Sequence, residues 1–510
     1  MADFPGSDTS TSRFTLLPGG GMMQRIEERS RRLSPSFWLV TGCSTMFRIE
    51  SAGSRLCDRL VRREVLRVGG LACCGLTLGQ QQLSTAIAAG TSAAFGRAKS
   101  CIVLFLMGGP PQHSTWDPKP GAIAEIRGPF NPIDTVVPGI QVGELFPHSA
   151  QVMDRVALLR AVSTGDNAHS SSGYAMLTGV PHVPLNAENA NPGAPNDWPS
   201  VAAMVQHLHR GPQLLPASIR LPHHIFNTDQ STWPGQDAGF LGRHSDPWLF
   251  RCEPTARDWK GASFAVNADV PLARLDTRRT LLEQLEEQLR AAERAGRAGN
   301  YSSRQQQALD LLTDARARSA ADLTGESDEM RDRYGRTPFG NTVLLARRFV
   351  QAGVKLVQVN WYRGADEPSE NPCWDSHTDE PNRLKKVLCP PADQAFAALV
   401  SDLDAQGLLD ETLVLCLAEF GRTPRFNPRA GRDHWGPVFS IAAAGGGIQG
   451  GRVHGASDRD GGQPAEGMVR PADVTATIFH LLGLDPATEV HDTLGRPFPI
   501  SRGRVIDEIL

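Results

Sequence analysis

The sequence predicts an α/β protein built on a mostly parallel central sheet. Two continuous apolar runs, residues 100–107 and 412–418, have the length and aliphatic content of strands that are buried on both faces. Amphipathic segments at 341–352 and 392–407 predict helices that end at or beside a glycine and lead into strands. Because this alternation of helix and strand is typical of parallel sheets, we expect the strands to share one sheet.

The other elements continue this pattern along the chain. A third strand is predicted at 156–160, and segment 166–179 after it begins with capping residues and ends in an apolar helical face. Residues 354–360 predict a further strand, and residues 471–482 predict a late helix. Residues 180–260 are rich in proline, asparagine and tryptophan, so we expect them to form loops over the site.

The composition is that of an ordinary globular protein. The 510 residues are 40% hydrophobic and 21% charged, which suits one large domain with insertions or two domains. The formal net charge of -3 gives no indication of a nucleic-acid partner. Nine cysteines occur without CxxC spacing, so neither a zinc ribbon nor a disulfide-rich scaffold is indicated.

The N-terminal region has the pattern of an export signal. Arg62 and Arg63 precede a weakly apolar stretch, 68–78, which is too short and too rich in glycine to span a bilayer. Small residues at 86–89 provide a cleavage zone. This pattern is typical of a twin-arginine signal peptide and predicts export to the periplasm or cell surface; a basic patch before a buried helix is the alternative.

The signal divides the chain into three predicted parts. Residues 1–45 lack periodicity, and we expect a disordered or non-native extension with Met46 as the true start. Residues 46–98 then contain the signal and a linker, and residues 99–510 form the folded domain. No membrane span is expected in the mature protein.

Residues 265–330 differ from the rest of this domain. Leucines recur at helical spacing among glutamate, glutamine and arginine in residues 274–297, and the pattern repeats in residues 305–323. These segments predict a helical insertion, a hairpin with too few heptads for a coiled coil. We expect it to act as a lid or to bind a protein partner.

The strand at 412–418 stops at an acid, and a polar loop follows it. In an open parallel sheet the ligand site lies at the carboxyl ends of the strands, so Glu419 stands where chemistry is expected. The loop is too polar for the core and contains Arg422, Arg432, Asp433 and His434.

Other strand ends supply more candidate ligands. They are His113 and Asp117 after the first strand, His169 and Ser170 after the third, and Asp375 and His377 after the strand at 354–360. Taken singly, such a residue is more often a helix cap or a solvated side chain. Together these residues supply nitrogen and oxygen ligands for one or two divalent ions, and Zn²⁺, Mn²⁺, Mg²⁺ and Ca²⁺ all suit them.

The arginines and the last histidine have two interpretations. Arg422 and Arg432 can hold an oxyanion with paired hydrogen bonds, or they can neutralise buried Glu419 and Asp433. His434 can be a metal ligand, or it can bond a backbone carbonyl while Asp433 caps a helix.

Several motifs resemble those of the DUF1501 family of exported bacterial proteins, which is common in planctomycetes. The resemblance extends from about residue 46 to the C-terminus. The motifs are His169 with Leu177-Thr178-Gly179, residues 346–354, Trp374-Asp375-Ser376-His377, residues 407–413, residues 419–424 and residues 431–435. The resemblance implies the alkaline phosphatase-like superfamily of sulfatases and phosphoglycerate mutases, a three-layer α/β/α sandwich and a metal site at the strand ends.

The resemblance also implies roles for individual residues. Ten residues before Gly179, His169 occupies the position of the superfamily's nucleophile, and Ser170 takes that role if the register slips by one. Gly108 and Gly109 stand where a metal-binding aspartate is usual, so Asp117 or His113 is the substitute.

Four positions retain the superfamily's metal ligands. Glu419 replaces a metal-binding aspartate, Asp375 and His377 form a shortened pair, and His434 matches the final histidine ligand.

Two functions follow from these expectations. The first is an exported metal-dependent hydrolase of phosphate or sulfate esters, with a small-molecule or polysaccharide ester as substrate. In it His169 is a ligand, a nucleophile or a base, and Arg422 stabilises charge on the transferred group. The alternative is a non-catalytic binding or assembly protein on a degenerate fold, with the helical insertion as its partner surface.

Overall fold

The computed structural model describes residues 94–209, 215–227, 229–261, 314–364 and 372–510. The chain divides into two units, residues 1–82 and 83–510, and every described residue lies in the second. The predictions for the extension, the export signal and most of the helical insertion therefore fall outside the described residues.

Eight strands form the central sheet. They are β1 Ser100–Phe105, β2 Val156–Val162, β3 Ser218–Leu221, β4 Trp248–Leu249, β5 Leu356–Asn360, β6 Thr412–Leu417, β7 Phe439–Ala444 and β8 Arg452–His454. Their order across the sheet is β8-β2-β7-β6-β1-β5-β3-β4. Among these eight strands only β7 runs antiparallel to its neighbours, so the predicted α/β fold with a mostly parallel central sheet is confirmed.

The helices of the described residues fall into a longer and a shorter class. The longer helices are α1 His169–Thr178, α2 Val201–Leu208, α3 Ala315–Ala321, α4 Asp328–Tyr334, α5 Pro338–Gln351, α6 Cys389–Ala405 and α7 Pro471–Leu481. Helix α1 packs against α7, whereas α3, α4 and α6 each pack against α5. Shorter helices are Ala124–Arg127, Pro147–Ala150 and Glu380–Arg383, with a π-helical turn at Leu384–Leu388 before α6. None of the helices in the described ranges is long and apolar enough to cross a membrane.

The predicted strands and helices have close counterparts in the structure. Strands β1 and β6 are buried along their whole length, as their apolar sequences predict. Helix α5 begins three residues before its predicted start, because the Thr337 side chain accepts a hydrogen bond from the Gly340 N–H and Pro338 occupies the first helical position.

The prediction for residues 180–260 was wrong in part. Helix α2 and strands β3 and β4 lie in this segment, and β3 extends the sheet beyond β5. Strand β3 has only four residues and β4 only two, so neither produces a periodic pattern long enough to recognise.

The sheet brings the predicted polar residues to one edge. Phe105 of β1 lies opposite both Asn360 of β5 and Leu417 of β6, so these three strands end at the same level. Strand β2 runs in the same direction and leads to His169 at the start of α1. The antiparallel β7 begins at this edge, so the segment before it, which contains His434, also lies there.

Candidate metal centre

The end of β1 fits against the loop after β5 only because it carries a glycine. Gly108 has a φ of +111°, and a Cβ added to it would lie 2.4 Å from the backbone nitrogen of Asp375. Its own N–H donates to Glu419 Oε1 at 2.8 Å. Gly108 therefore brings three strand-end segments into contact where the resemblance expects an aspartate.

His169 connects the two acidic residues of the site. Its Nδ1 lies 2.7 Å from Glu419 Oε1, and its Nε2 lies 3.2 Å from Asp375 Oδ2. Burial opposes a charge on the imidazole, but Asp375 and Glu419 outweigh burial and raise the pKa of His169 to about 10. The ring also packs 4.8 Å from the ring of Phe420.

Three ligand atoms converge beside this histidine. The Nε2 atoms of His377 and His434 lie 2.9 Å apart, and Asp375 Oδ1 is 2.9 Å from the first and 3.1 Å from the second. His434 Nδ1–H donates to the Asn167 carbonyl at 2.8 Å, and His377 Nδ1–H donates to Asp433 Oδ1 at 2.9 Å. In neutral rings both Nε2 atoms then carry lone pairs directed at the same region.

The electrostatics keep His434 neutral and Asp375 charged. Burial, followed by the positive charges of His169 and Arg422, lowers the pKa of His434 to about 4. Burial opposes ionisation of Asp375, but His169 and Arg422 outweigh it and hold the pKa of its carboxyl well below the usual range. A carboxylate and a neutral imidazole are both ligands for divalent ions.

Arg422 is bound within the protein. Its side chain is fully buried, and it donates to Asp375 Oδ1 at 2.5 Å, to Gly109 O at 2.9 Å and to Arg432 O at 3.0 Å. It also donates to the carbonyls of Gly108 and Trp374. These contacts orient Asp375, and they occupy the donors that the sequence analysis assigned to a transferred oxyanion.

Arg432 is likewise buried and bound within the protein. It is fully buried, pairs with Glu380 Oε1 at 3.0 Å and donates to the Ile126 carbonyl at 2.7 Å. The alternative interpretation, in which the two arginines neutralise Glu419 and Asp433, therefore named the wrong carboxylates. Asp433 is instead half-exposed and orients His377 through its Nδ1.

Two further predicted residues lie in separate contacts. Asp117 is buried; its Oδ2 accepts from Ser457 Oγ at 2.5 Å and pairs with Lys119 at 3.0 Å, and its Oδ1 lies 3.5 Å from Arg160. Its carboxylate therefore belongs to neither group of converging ligands.

Ser170 is fully buried within its own contacts. Its Oγ donates to Ala187 O at 2.7 Å and accepts from the Ala190 N–H at 2.9 Å. The hydroxyl thus secures the loop after α1.

Glu188 in that loop was missed by the sequence analysis. Its Oε1 accepts from the His169 N–H at 2.8 Å and lies 3.6 Å from His434 Nδ1. Burial raises the pKa of its carboxyl above the usual value, although the charge of His169 opposes this rise. The potential ligand atoms of His169, Glu188 and His434 lie within 4.8 Å of one another, as do those of Asp375, His377 and His434. No periodic or motif signal marks Glu188 in its asparagine- and proline-rich loop.

Glu419 provides a direct test of whether these residues fit a metal. Its side chain is fully buried, and its Oε2 has no hydrogen-bond partner among the described residues, whereas Oε1 has two. A buried carboxylate oxygen without a donor is costly, and a cation would satisfy it. The mixture of carboxylates and imidazoles at this edge therefore fits a divalent ion.

A small pocket opens beside Asp375, one of the converging ligands. Its lining combines two carboxylates and the imidazole of His169 with aromatic side chains and one arginine. Its lining is Met107, Gly108, His169, Glu188, Asn189, Phe226, Asn227, Trp233, Arg363, Pro372 and Asp375.

The fold and the site define an α/β protein with a histidine and carboxylate cluster at the carboxyl edge of its sheet. Residues 98–510 match the family model described as "Protein of unknown function (DUF1501)", and the chain belongs to this family. The resemblance inferred from the motifs is thereby confirmed. No curated protein matches the chain.

Solved structures give a more distant likeness. The PsFucS1 sulfatase from Pseudoalteromonas sp. is 14% identical, with 77% of this chain and 69% of that chain covered and a TM-score of 0.35. The phosphonate monoester hydrolase SpPMH from Silicibacter pomeroyi is 13% identical, with 80% and 76% covered and a TM-score of 0.36.

Proposed function

We propose that this protein is an exported, metal-dependent hydrolase of phosphate or sulfate esters. The observation that carries the proposal is the convergence of Asp375 Oδ1, His377 Nε2 and His434 Nε2 within 3.1 Å of one another. Three acceptor atoms at this spacing repel one another unless a proton or a metal cation lies between them. The buried, unpartnered oxygen of Glu419 independently supports a cation at this edge.

The chain offers a defined ligand set for one divalent ion. Asp375, His377 and His434 would hold it, with Arg422 and Asp433 orienting two of these ligands. Glu188 and Glu419 are the nearest further carboxylates to His169. When bound, such an ion supplies a Lewis acid and lowers the pKa of water at the site.

His169 is the residue best placed to transfer a proton. Glu419 holds its Nδ1, so Nε2 is the atom that faces Asp375 and the pocket. An imidazolium with one nitrogen fixed by a carboxylate can donate a proton to a leaving oxygen from the other nitrogen. The occupied Ser170 hydroxyl favours direct attack by water over a covalent serine step.

The remaining parts of the proposal rest on sequence. The Arg62-Arg63 pattern supports export by the twin-arginine route to the periplasm or cell surface, with residues 46–98 as signal and linker. That route carries folded, cofactor-loaded proteins, in agreement with a metal site. We propose a small-molecule or polysaccharide ester as the substrate.

Turnover of an aryl phosphate or aryl sulfate by the metal-loaded protein tests this proposal. We expect Glu419→Gln to lower kcat/KM by about 100-fold or more, because the amide cannot hold His169 as the carboxylate does. Glu411→Gln is the matched control, since Glu411 lies just before the opposite end of β6 and is half-exposed. Absence of turnover of every ester by the metal-loaded protein would contradict the proposal.

A second candidate function is non-catalytic binding or assembly on the same fold. It is favoured by the burial of Ser170 and Arg422, which leaves the alternative nucleophile and the expected oxyanion donor engaged within the protein. Under this alternative the protein binds metal stoichiometrically and turns over no ester. Turnover measured on a preparation of verified metal content therefore separates the two functions.

A further inference from the structure

Arg422 does not line the pocket, but another arginine, Arg363, does. Arg363 lies three residues after the end of β5, at the carboxyl edge of the sheet where ligands bind in such folds. Among the described residues that line the pocket, it is the one arginine or lysine side chain. The same lining includes the carboxylates of Glu188 and Asp375, so the pocket contains charges of both signs.

Contacts with one neighbouring residue hold the Arg363 side chain in place. Its guanidinium carbon lies 5.0 Å from the centre of the Phe226 ring, and one of its nitrogens donates to the Phe226 carbonyl at 3.3 Å. Its backbone N–H donates to His223 Nε2 at 3.3 Å. The remaining guanidinium donors have no recorded acceptor in the part of the chain that the structure describes, in contrast to those of Arg422.

A second residue of the same lining, Trp233, has a donor that is unpaired within the described part of the chain. The Trp233 side chain is 2% exposed, and its indole N–H has no acceptor among the described residues. The indole lies nearly parallel to the His169 ring, with the ring centres 5.9 Å apart. It packs so closely on α1 that a Cβ at Gly173 would lie 2.4 Å from the indole. A buried indole donor is costly unless an acceptor reaches it.

We propose that Arg363, with the Trp233 indole N–H, binds the oxyanion of the substrate. This inference rests on the proposed function and assigns to Arg363 the role that sequence analysis gave to Arg422. The ligand is a tetrahedral phosphate or sulfate group attached to a small organic moiety.

The charges of the lining explain why both a bound cation and Arg363 are needed to bind an anion. Asp375 and Glu188 repel an anion, and a divalent ion held by Asp375 would reverse that effect. Arg363 provides a planar set of donors, suited to two oxygens of one tetrahedral group. The anion would therefore be bound by Arg363 together with the metal site.

Binding of inorganic phosphate and inorganic sulfate to the metal-loaded full chain, measured by calorimetry, tests the inference. We expect Arg363→Gln to weaken binding of the favoured anion by about tenfold or more. Arg363→Lys should give an intermediate affinity, because the charge remains and the paired geometry is lost. Arg425→Gln is the matched control, since Arg425 is exposed on the loop after β6 and should leave affinity unchanged.

Two outcomes would overturn the inference: equal affinity in Arg363→Gln and Arg425→Gln, or no binding of either anion by the metal-loaded wild type. Metal content measured on the same samples separates this failure from failure of the proposed function, which requires metal in the wild type. If Arg363→Gln does not fold, Trp233→Phe decides, because it keeps an aromatic ring in the pocket wall and removes the N–H donor. We expect it to weaken binding about threefold to tenfold, and unchanged affinity would overturn the inference.

Discussion

The Nε2 atoms of His377 and His434 lie 2.9 Å apart, and the Nδ1 of each ring is hydrogen-bonded to a fixed acceptor. Those acceptors, Asp433 and the Asn167 carbonyl, come from different loops. Two lone pairs at this distance are unfavourable without a cation. The hydrogen bonds to Asp433 and the Asn167 carbonyl thus prepare the pair to bind an ion.

Replacement of Arg422 by glutamine is expected to destabilise the fold. Arg422 is fully buried and compensates the Asp375 carboxylate while it satisfies carbonyls from three segments. Removing one partner of a buried ion pair costs about 3 to 5 kcal/mol. We therefore expect urea unfolding of Arg422→Gln to show a loss of this size.

The exposed Arg425 supplies the control for that experiment. Arg425→Gln should change the free energy of unfolding by less than about 0.5 kcal/mol. A similar small change in Arg422→Gln would show that Arg422 is not the structural residue described above.

His113 gives the protein a pH-dependent stability. The side chain is 3% exposed, and burial, followed by the charge of Arg432, lowers its pKa from 6.5 to about 3. Between the folded pKa of about 3 and the unfolded pKa of 6.5, the unfolded chain binds a proton at this histidine that the folded protein does not. The stabilisation is therefore complete above the unfolded pKa and is lost as the pH falls toward the folded pKa.

Urea unfolding near neutral pH and near pH 5 measures this contribution. Between about pH 6.5 and about pH 5, His113 should account for about 2 kcal/mol of the wild-type loss. His113→Gln keeps a donor for the Asp460 carbonyl, which His113 Nε2 contacts at 2.8 Å, and removes the titration. The same loss in wild type and variant would contradict the assignment.

Gly108→Ala should displace Asp375. The added Cβ would lie 2.4 Å from the Asp375 nitrogen, at a φ of +111°. We expect weaker metal binding and a free energy of unfolding lowered by more than the cost of about 1 to 2 kcal/mol for the φ angle alone. Gly353→Ala isolates the φ cost, because Gly353 has a φ of +97° and open space around it. Equal effects of both variants would exclude the steric explanation.

The strands at the centre of the sheet could be predicted from sequence, because burial on both faces leaves a continuous apolar run in β1 and β6. The position of Glu419 at the strand end followed from the same rule. The short strands β3 and β4 could not be predicted, since they are too brief to show a period.

The roles of polar side chains were harder to predict. Arg422 has the sequence context of an anion-binding residue, but backbone carbonyls from three segments, distant in sequence, surround it. Asp117 follows a strand as Glu419 does, but it meets Lys119 and Ser457. Glu188 reaches the site through a loop whose path depends on tertiary contacts. Such partners are set by the fold and leave no local pattern.

Metal content measured by elemental mass spectrometry is the most direct test of the site. Purified wild-type protein and an Asp410→Asn, His491→Ala control, both at exposed positions, should contain stoichiometric divalent metal after reconstitution. The Asp375→Asn, His377→Ala variant should contain none, because it loses two of the three converging ligands. Absence of metal from the wild type, or full retention in the Asp375 and His377 variant, would contradict a metal centre at this edge of the sheet.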